Sequence, residues 1–120
     1  MGLLAKIFLG IIAFEELFIL WIEVFAWEAK GPKVFSSFKK EFFGATTSLA
    51  SNMGLYNGFL GAGMIWSLFI KDAIWSLNIA LFFTGCMVVA GIYGALTVEK
   101  GILFKQGIPA MVTLLILLLS

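Results

Sequence analysis

The chain has 120 residues, 62% of them hydrophobic and only 12% charged, whereas a soluble domain is about half apolar and about a quarter charged. So little polar surface cannot shield a core from water, which leaves lipid as the solvent. A net charge of +1, with lysine as the only basic residue, excludes nucleic-acid recognition, and the lack of histidine with a single cysteine, Cys86, excludes intrachain disulfides and Cys/His metal sites.

A helix needs about 20 residues to cross the hydrocarbon of a bilayer. Four apolar runs meet that length, at residues 7–26, 49–70, 74–98 and 102–119, and they predict an all-α, integral membrane four-helix bundle forming one domain. The first run is too long for a signal peptide, carries Glu15, Glu16 and Glu23, and has no small-residue cleavage pattern before Trp27, so it is expected to be retained. Glu16 and Glu23 are seven residues apart, which sets them about 20° from eclipsed and about 10 Å apart along a helix. They form one stripe, and the cost of a carboxylate in lipid, about 2.5 kcal/mol or more, directs it toward the bundle interior, a partner subunit or water. Glu15 points away from that stripe, consistent with a subunit interface.

The first connection, residues 27–48, is the long one. Gly31-Pro32 is expected to end the first helix. Residues 33–43 then read either as a short helix lying flat at the headgroups, because Phe35, Phe38 and Phe42 recur at helical spacing with Lys33, Lys39 and Lys40 between them, or equally as an ordered loop. The second run contains Gly54, Gly58 and Gly61, a small-residue groove for another helix, beside Asn52, Tyr56 and Asn57. The third run repeats the device with Gly91 and Gly94 around Tyr93. In the fourth, Pro109 follows Lys105 and Gln106, so the helix must begin near Gly101 and kink at the proline, with Lys105 reaching headgroups or a carboxylate. For the glycines, helix packing outweighs any ligand role.

Lysine placement orients the chain. Lys6 and Lys71 fall on one side and Lys30, Lys33, Lys39, Lys40, Lys100 and Lys105 on the other, so the positive-inside bias puts the first and third connections in the cytoplasm and both termini outside. In that topology Glu23, Asn52, Tyr56, Asn57, Tyr93, Lys105 and Gln106 all lie toward the cytoplasmic ends, with Glu16 deeper. They are the candidate ligand-binding residues of a polar intramembrane chamber; a satisfied hydrogen-bond network with one Glu–Lys pair is the structural alternative.

The stretch from Asn52 through Gly63, with its Gly54-Leu55-Tyr56-Asn57-Gly58-Phe59-Leu60 run as the specific part, Glu15, Glu23 and Trp27, the Ala90-Gly91-Ile92-Tyr93-Gly94-Ala95 run, and Gln106 with Pro109-Ala110 together resemble the bacterial four-span membrane proteins catalogued as domain-of-unknown-function family 1304. The resemblance spans nearly the whole chain and implies the four-helix fold without a function. Members typically carry His where this chain has Glu16 and Gln where it has Met53, so no imidazole role carries over. A similarity of topology alone links the chain to the membrane-associated eicosanoid and glutathione metabolism family of trimeric four-helix enzymes. Those hold glutathione carboxylates with arginines, which this chain lacks.

Three functions compete. The leading one is transport or channel-type handling of a small molecule or ion, in which Glu16 and Glu23 bind a proton, cation or amine in a homo-oligomer. A lipid-phase enzyme would use Glu23 as acid or base and Tyr93 or Tyr56 as hydrogen-bond donor, but no nucleophile, metal motif or phosphate loop supports it. A structural or accessory subunit is the third. No cofactor follows from the residues.

Overall fold

The computed structural model describes all 120 residues, Met1–Ser120. Every regular element is helical: α1 (Leu3–Phe25), α2 (Trp27–Val34), α3 (Lys40–Ala45), α4 (Thr47–Phe69), α5 (Ala73–Thr97), and a π-helical segment (Leu103–Gly107) that runs into α6 (Ile108–Leu119). The long helices are flanked in a ring, α1 against α4 and α6, α5 against α4, the π segment and α6. One helix, α5, is long and apolar enough to cross a membrane, at a mean hydropathy of 2.1. α1 has comparable length but carries Lys6 and three glutamates, and α4 dilutes its apolar residues with glycine, serine and asparagine.

The interior is built from small and flexible side chains. Leu9, Ile12 and Ala13 of α1 meet Met64 of α4, Ala80 and Met87 of α5, and Ala110 and Leu117 of α6, all buried. Large apolar residues instead face outward: Phe25 is 75% exposed, Phe69 78%, Leu96 80% and Leu119 87%. That is the inverse of a water-soluble surface, where contiguous apolar patches are small.

Asp72 starts α5 by accepting from the backbone N–H of Ile74 (2.9 Å) and Trp75 (3.2 Å), which satisfies two of the donors a helix start leaves free. Ser76 Oγ donates to the Ser67 carbonyl at 2.7 Å and ties the two sides of this turn together.

Three expectations for the connections and the last helix are corrected. The first helix ends at Ala26 (φ −134°, ψ 27°), five residues before Gly31-Pro32, and Pro32 sits inside α2. Gly31 makes this possible, since it lacks the Cβ that clashes with a following proline ring in helical geometry; a Cβ there would also lie 2.8 Å from Phe43 Cδ1. Residues 33–43 form no continuous helix. The chain leaves α2 at Phe35, turns, and re-enters helix at Lys40, because Phe35 and Phe43 are drawn under Trp27, with ring centroids 5.5 and 4.9 Å from it. In the fourth run the irregularity precedes Pro109 instead of kinking at it. Pro109 has no N–H for the Lys105 carbonyl and its ring crowds that oxygen, so the preceding turn widens and the Ile108 N–H bonds five residues back to Leu103.

The π segment brings backbone against backbone: a Cβ on Gly91 would stand 2.6 Å from Gly107 Cα. Gly91→Ala should therefore cost about 1–3 kcal/mol as an overpacked contact. Gly85→Ala, which would meet nothing within 4 Å, should be neutral or stabilising by up to about 1 kcal/mol from helix propensity. Thermal unfolding of the purified variants, followed by circular dichroism, separates the two.

Candidate functional site

The glycines of α4 and the glutamates of α1 form one packing device. The buried stripe of α1 runs Ala5, Leu9, Ile12, Glu16, Ile19, Glu23, alternating steps of four and three, so both carboxyls occupy seam positions that an ordinary bundle would fill with aliphatic residues. α4 runs antiparallel beneath it. A Cβ on Gly54 would lie 2.9 Å from Glu23 Cβ, one on Gly61 3.3 Å from Glu16 Cβ, and one on Gly58 would strike the Leu20 side chain. Seven residues separate the glutamates and seven separate Gly54 from Gly61, so each glutamate lies over its own glycine. On α5, Gly94 accommodates Ile102, whose Cγ2 would be 3.1 Å from a Cβ there.

The two carboxyls have different surroundings. Glu23, 2% exposed, accepts through Oε1 from Asn57 Nδ2 at 2.6 Å, a short bond to the helix face opposite. Glu16, 1% exposed, has no donor for its buried Oε2. Glu15 Oε1 and the Oγ1 of fully buried Thr84 are likewise unpartnered. Such groups cost stability.

Glu23 and Asn57 open onto a cleft of about 530 Å³ between the ends of α1, α4 and α5 and the first connection. Its wall is aromatic. Phe38 and Phe42 stack at a centroid distance of 4.3 Å and 18° between planes, while Trp27, held by an Nε1 bond to Thr46 Oγ1 at 3.0 Å, leans on Phe35. Tyr93 and Gln106 line the same cleft from α5 and the π segment.

Four of the residues singled out in the sequence thus share one cavity: Glu23, Asn57, Tyr93 and Gln106. The other four do not. Asn52 and Tyr56 lie on the exposed face of α4, where Tyr56 meets Phe59 edge-on at 5.7 Å. Glu16 is sealed into the helix contact, one heptad deeper than the cleft. Lys105 reaches no carboxylate. Its Nζ donates to the Val34 carbonyl and lies 5.9 Å from the Phe35 ring centroid, and Ser37 Oγ donates to Glu99 Oε2, so the first and third connections are stitched to each other. The aromatic wall was missed in the sequence, where Phe35, Phe38 and Phe42 read as a membrane-facing stripe; the spacing carries no sign that the segment folds back over α4.

The sequence profile of the family described as "Protein of unknown function (DUF1304)" matches residues 10–118, which takes in every element of the cleft. The chain belongs to the DUF1304 family. A relative, "Uncharacterized protein YpaA" of Lactococcus lactis subsp. lactis (strain IL1403), is 32% identical over 117 residues, covering 96% of this chain and 97% of the relative. No solved structure matches.

Within this DUF1304 chain the two carboxyls should respond oppositely to substitution. Asn57→Ala deprives buried Glu23 of its donor and should lower stability by about 1–3 kcal/mol. Glu16→Met replaces an orphaned polar group with an apolar one of similar volume and should raise stability by about the same amount. A shared direction of change in the unfolding midpoint would show that the carboxyls are not differently satisfied.

Proposed function

We propose that the chain is a small integral membrane protein of four spans that assembles as a homo-oligomer and moves a small molecule or ion through the cleft at Glu23. The observation that carries this reading is an inversion: carboxyls are buried on the inner face of α1 while large apolar side chains such as Phe14, Phe25 and Phe69 make the perimeter. Lipid is the solvent for which such an exterior has low cost, and an ionisable group retained inside a span marks a binding or conduction path. The lysines that flank the first and third connections support a cytoplasmic side for those connections and an outside position for both termini. A single 120-residue chain encloses little space, which favours more than one copy.

Glu23 binds the cargo, Asn57 holds its carboxylate in place, and Tyr93 and Gln106 supply hydrogen-bonding groups at the rim. A lipid-phase enzyme remains the alternative, favoured by Glu23 and Tyr93 lining one cleft; turnover of a lipophilic substrate that disappears in Tyr93→Phe would support it.

In liposomes containing the purified chain, Glu23→Gln should reduce proton or cation flux at least about tenfold, as expected when the binding charge is lost. Its fold should persist, since the amide still accepts from Asn57. Flux equal to wild type in Glu23→Gln would reject transport through this cleft.

A further inference from the structure

The residues lining the cleft include one carboxyl, that of Glu23, and no lysine. Asn57 Nδ2 occupies Glu23 Oε1, whereas Oε2 receives no bond from the protein and is not sealed from the cavity. Because the carboxylate takes the amide N–H, the Asn57 carbonyl oxygen is left as a second acceptor beside it. Two acceptors and a negative charge therefore stand at one end of a chamber that an anion would enter at an electrostatic cost.

The opposite wall selects further. A metal or alkali ion stripped of water needs about six oxygen ligands around it. Beyond Glu23 and Asn57 the lining offers the side-chain oxygens of Tyr93 and Gln106 and the already bonded hydroxyls of Thr46 and Thr97, while Trp27, Phe35, Phe38 and Phe42 supply none. The faces of those rings do attract organic cations. Phe35 already has the Lys105 ammonium 5.9 Å from its centroid. A volume of about 530 Å³ lies within the range of clefts that bury molecules with an apolar body.

From charge, aromatic lining and size together we infer that the cleft binds a lipophilic monoammonium compound, its cationic head on Glu23 Oε2 and the Asn57 carbonyl and its apolar body along Trp27, Phe38 and Phe42. This inference rests on the reading of the cleft as a small-molecule site, and it names the class of molecule.

Phenylbutylamine, phenylbutanol and phenylbutyrate share one apolar body and differ in charge, so they serve as probes. Their binding to the full chain in nanodiscs, with empty nanodiscs subtracted, is measured by titration calorimetry. The amine should bind at least about tenfold more tightly than the alcohol, a difference of about 1.4 kcal/mol, and the acid more weakly than either. Glu23→Gln should erase the preference for the amine and leave the alcohol unchanged. Phe42→Leu, which removes a ring from the wall along the shared apolar body, should weaken the amine and the alcohol by a similar several-fold factor. Equal binding of amine and alcohol, tightest binding of the acid, or an amine preference that survives in Glu23→Gln overturns the proposal, even where liposomes conduct protons or potassium. Amine binding that follows the expected pattern in a chain without flux supports the ligand class and removes transport.

Discussion

The contact on which the rest depends is the close approach of α4 to α1. Glycine at positions 54, 58 and 61 removes the side chains that would hold the helices apart, and the Cβ atoms of Glu23 and Glu16 fill the space. A carboxyl in a helix seam is ordinarily a defect. Here the groove brings Asn57, on the same face of α4 as Gly54 and Gly58, within 2.6 Å of Glu23, so one carboxyl is satisfied by the helix that buries it. Its neighbour one heptad deeper has no such donor. The same backbone proximity thus yields a structural glutamate pair with unequal freedom, and only the member near the helix ends opens onto a cavity.

In the lipid setting proposed above, packing between the helices has little hydrophobic drive, because moving an apolar group from lipid to protein gains almost nothing. Close van der Waals contact has to supply the cohesion. The interior accordingly uses Ala13, Ala80, Ala110 and glycine at crossings such as Gly91 with Gly107, and leaves the bulky rings outside. The one place where aromatic residues gather inside is the first connection. There Trp27, Phe35 and Phe43 form a small cluster of their own, separate from the main core, and Trp27 and Phe35 of this cluster line the cleft.

Much of this was legible in the residues and some was not, for physical reasons. Seven-residue spacing is a property of the helix alone, so the common stripe of Glu16 and Glu23 follows from counting. That Gly54, Gly58 and Gly61 would mark a close helix contact follows from the lack of side chains; which helix they receive does not, because several helices offer a compatible face. The burial of Phe35 and Phe43 depends on the turn at Ala26, where no proline or glycine marks the break, while the proline that looked like a terminator is tolerated through the glycine before it. Lys105 was expected to reach headgroups or a carboxylate, and the fold presents to it the Val34 carbonyl, a consequence of how two distant connections meet. Asn52 and Tyr56 share a helix with Asn57 but not its face.

The wide turn before α6 has a further consequence for chain length. Buried positions along this part of the chain fall at Ile102, Gly107, Ala110, Thr113 and Leu117, a first step of five followed by steps of three, three and four. A π turn stores one residue more than an α turn, so the segment acts as an expansion joint: it absorbs a single inserted residue without rotating the inward face of the helix that follows. A chain shortened by one residue between Leu103 and Gln106 could close this turn into regular α-helix and still deliver Ala110, Thr113 and Leu117 to the same side, surrendering only the displacement that lets Gly107 lie flush against Gly91.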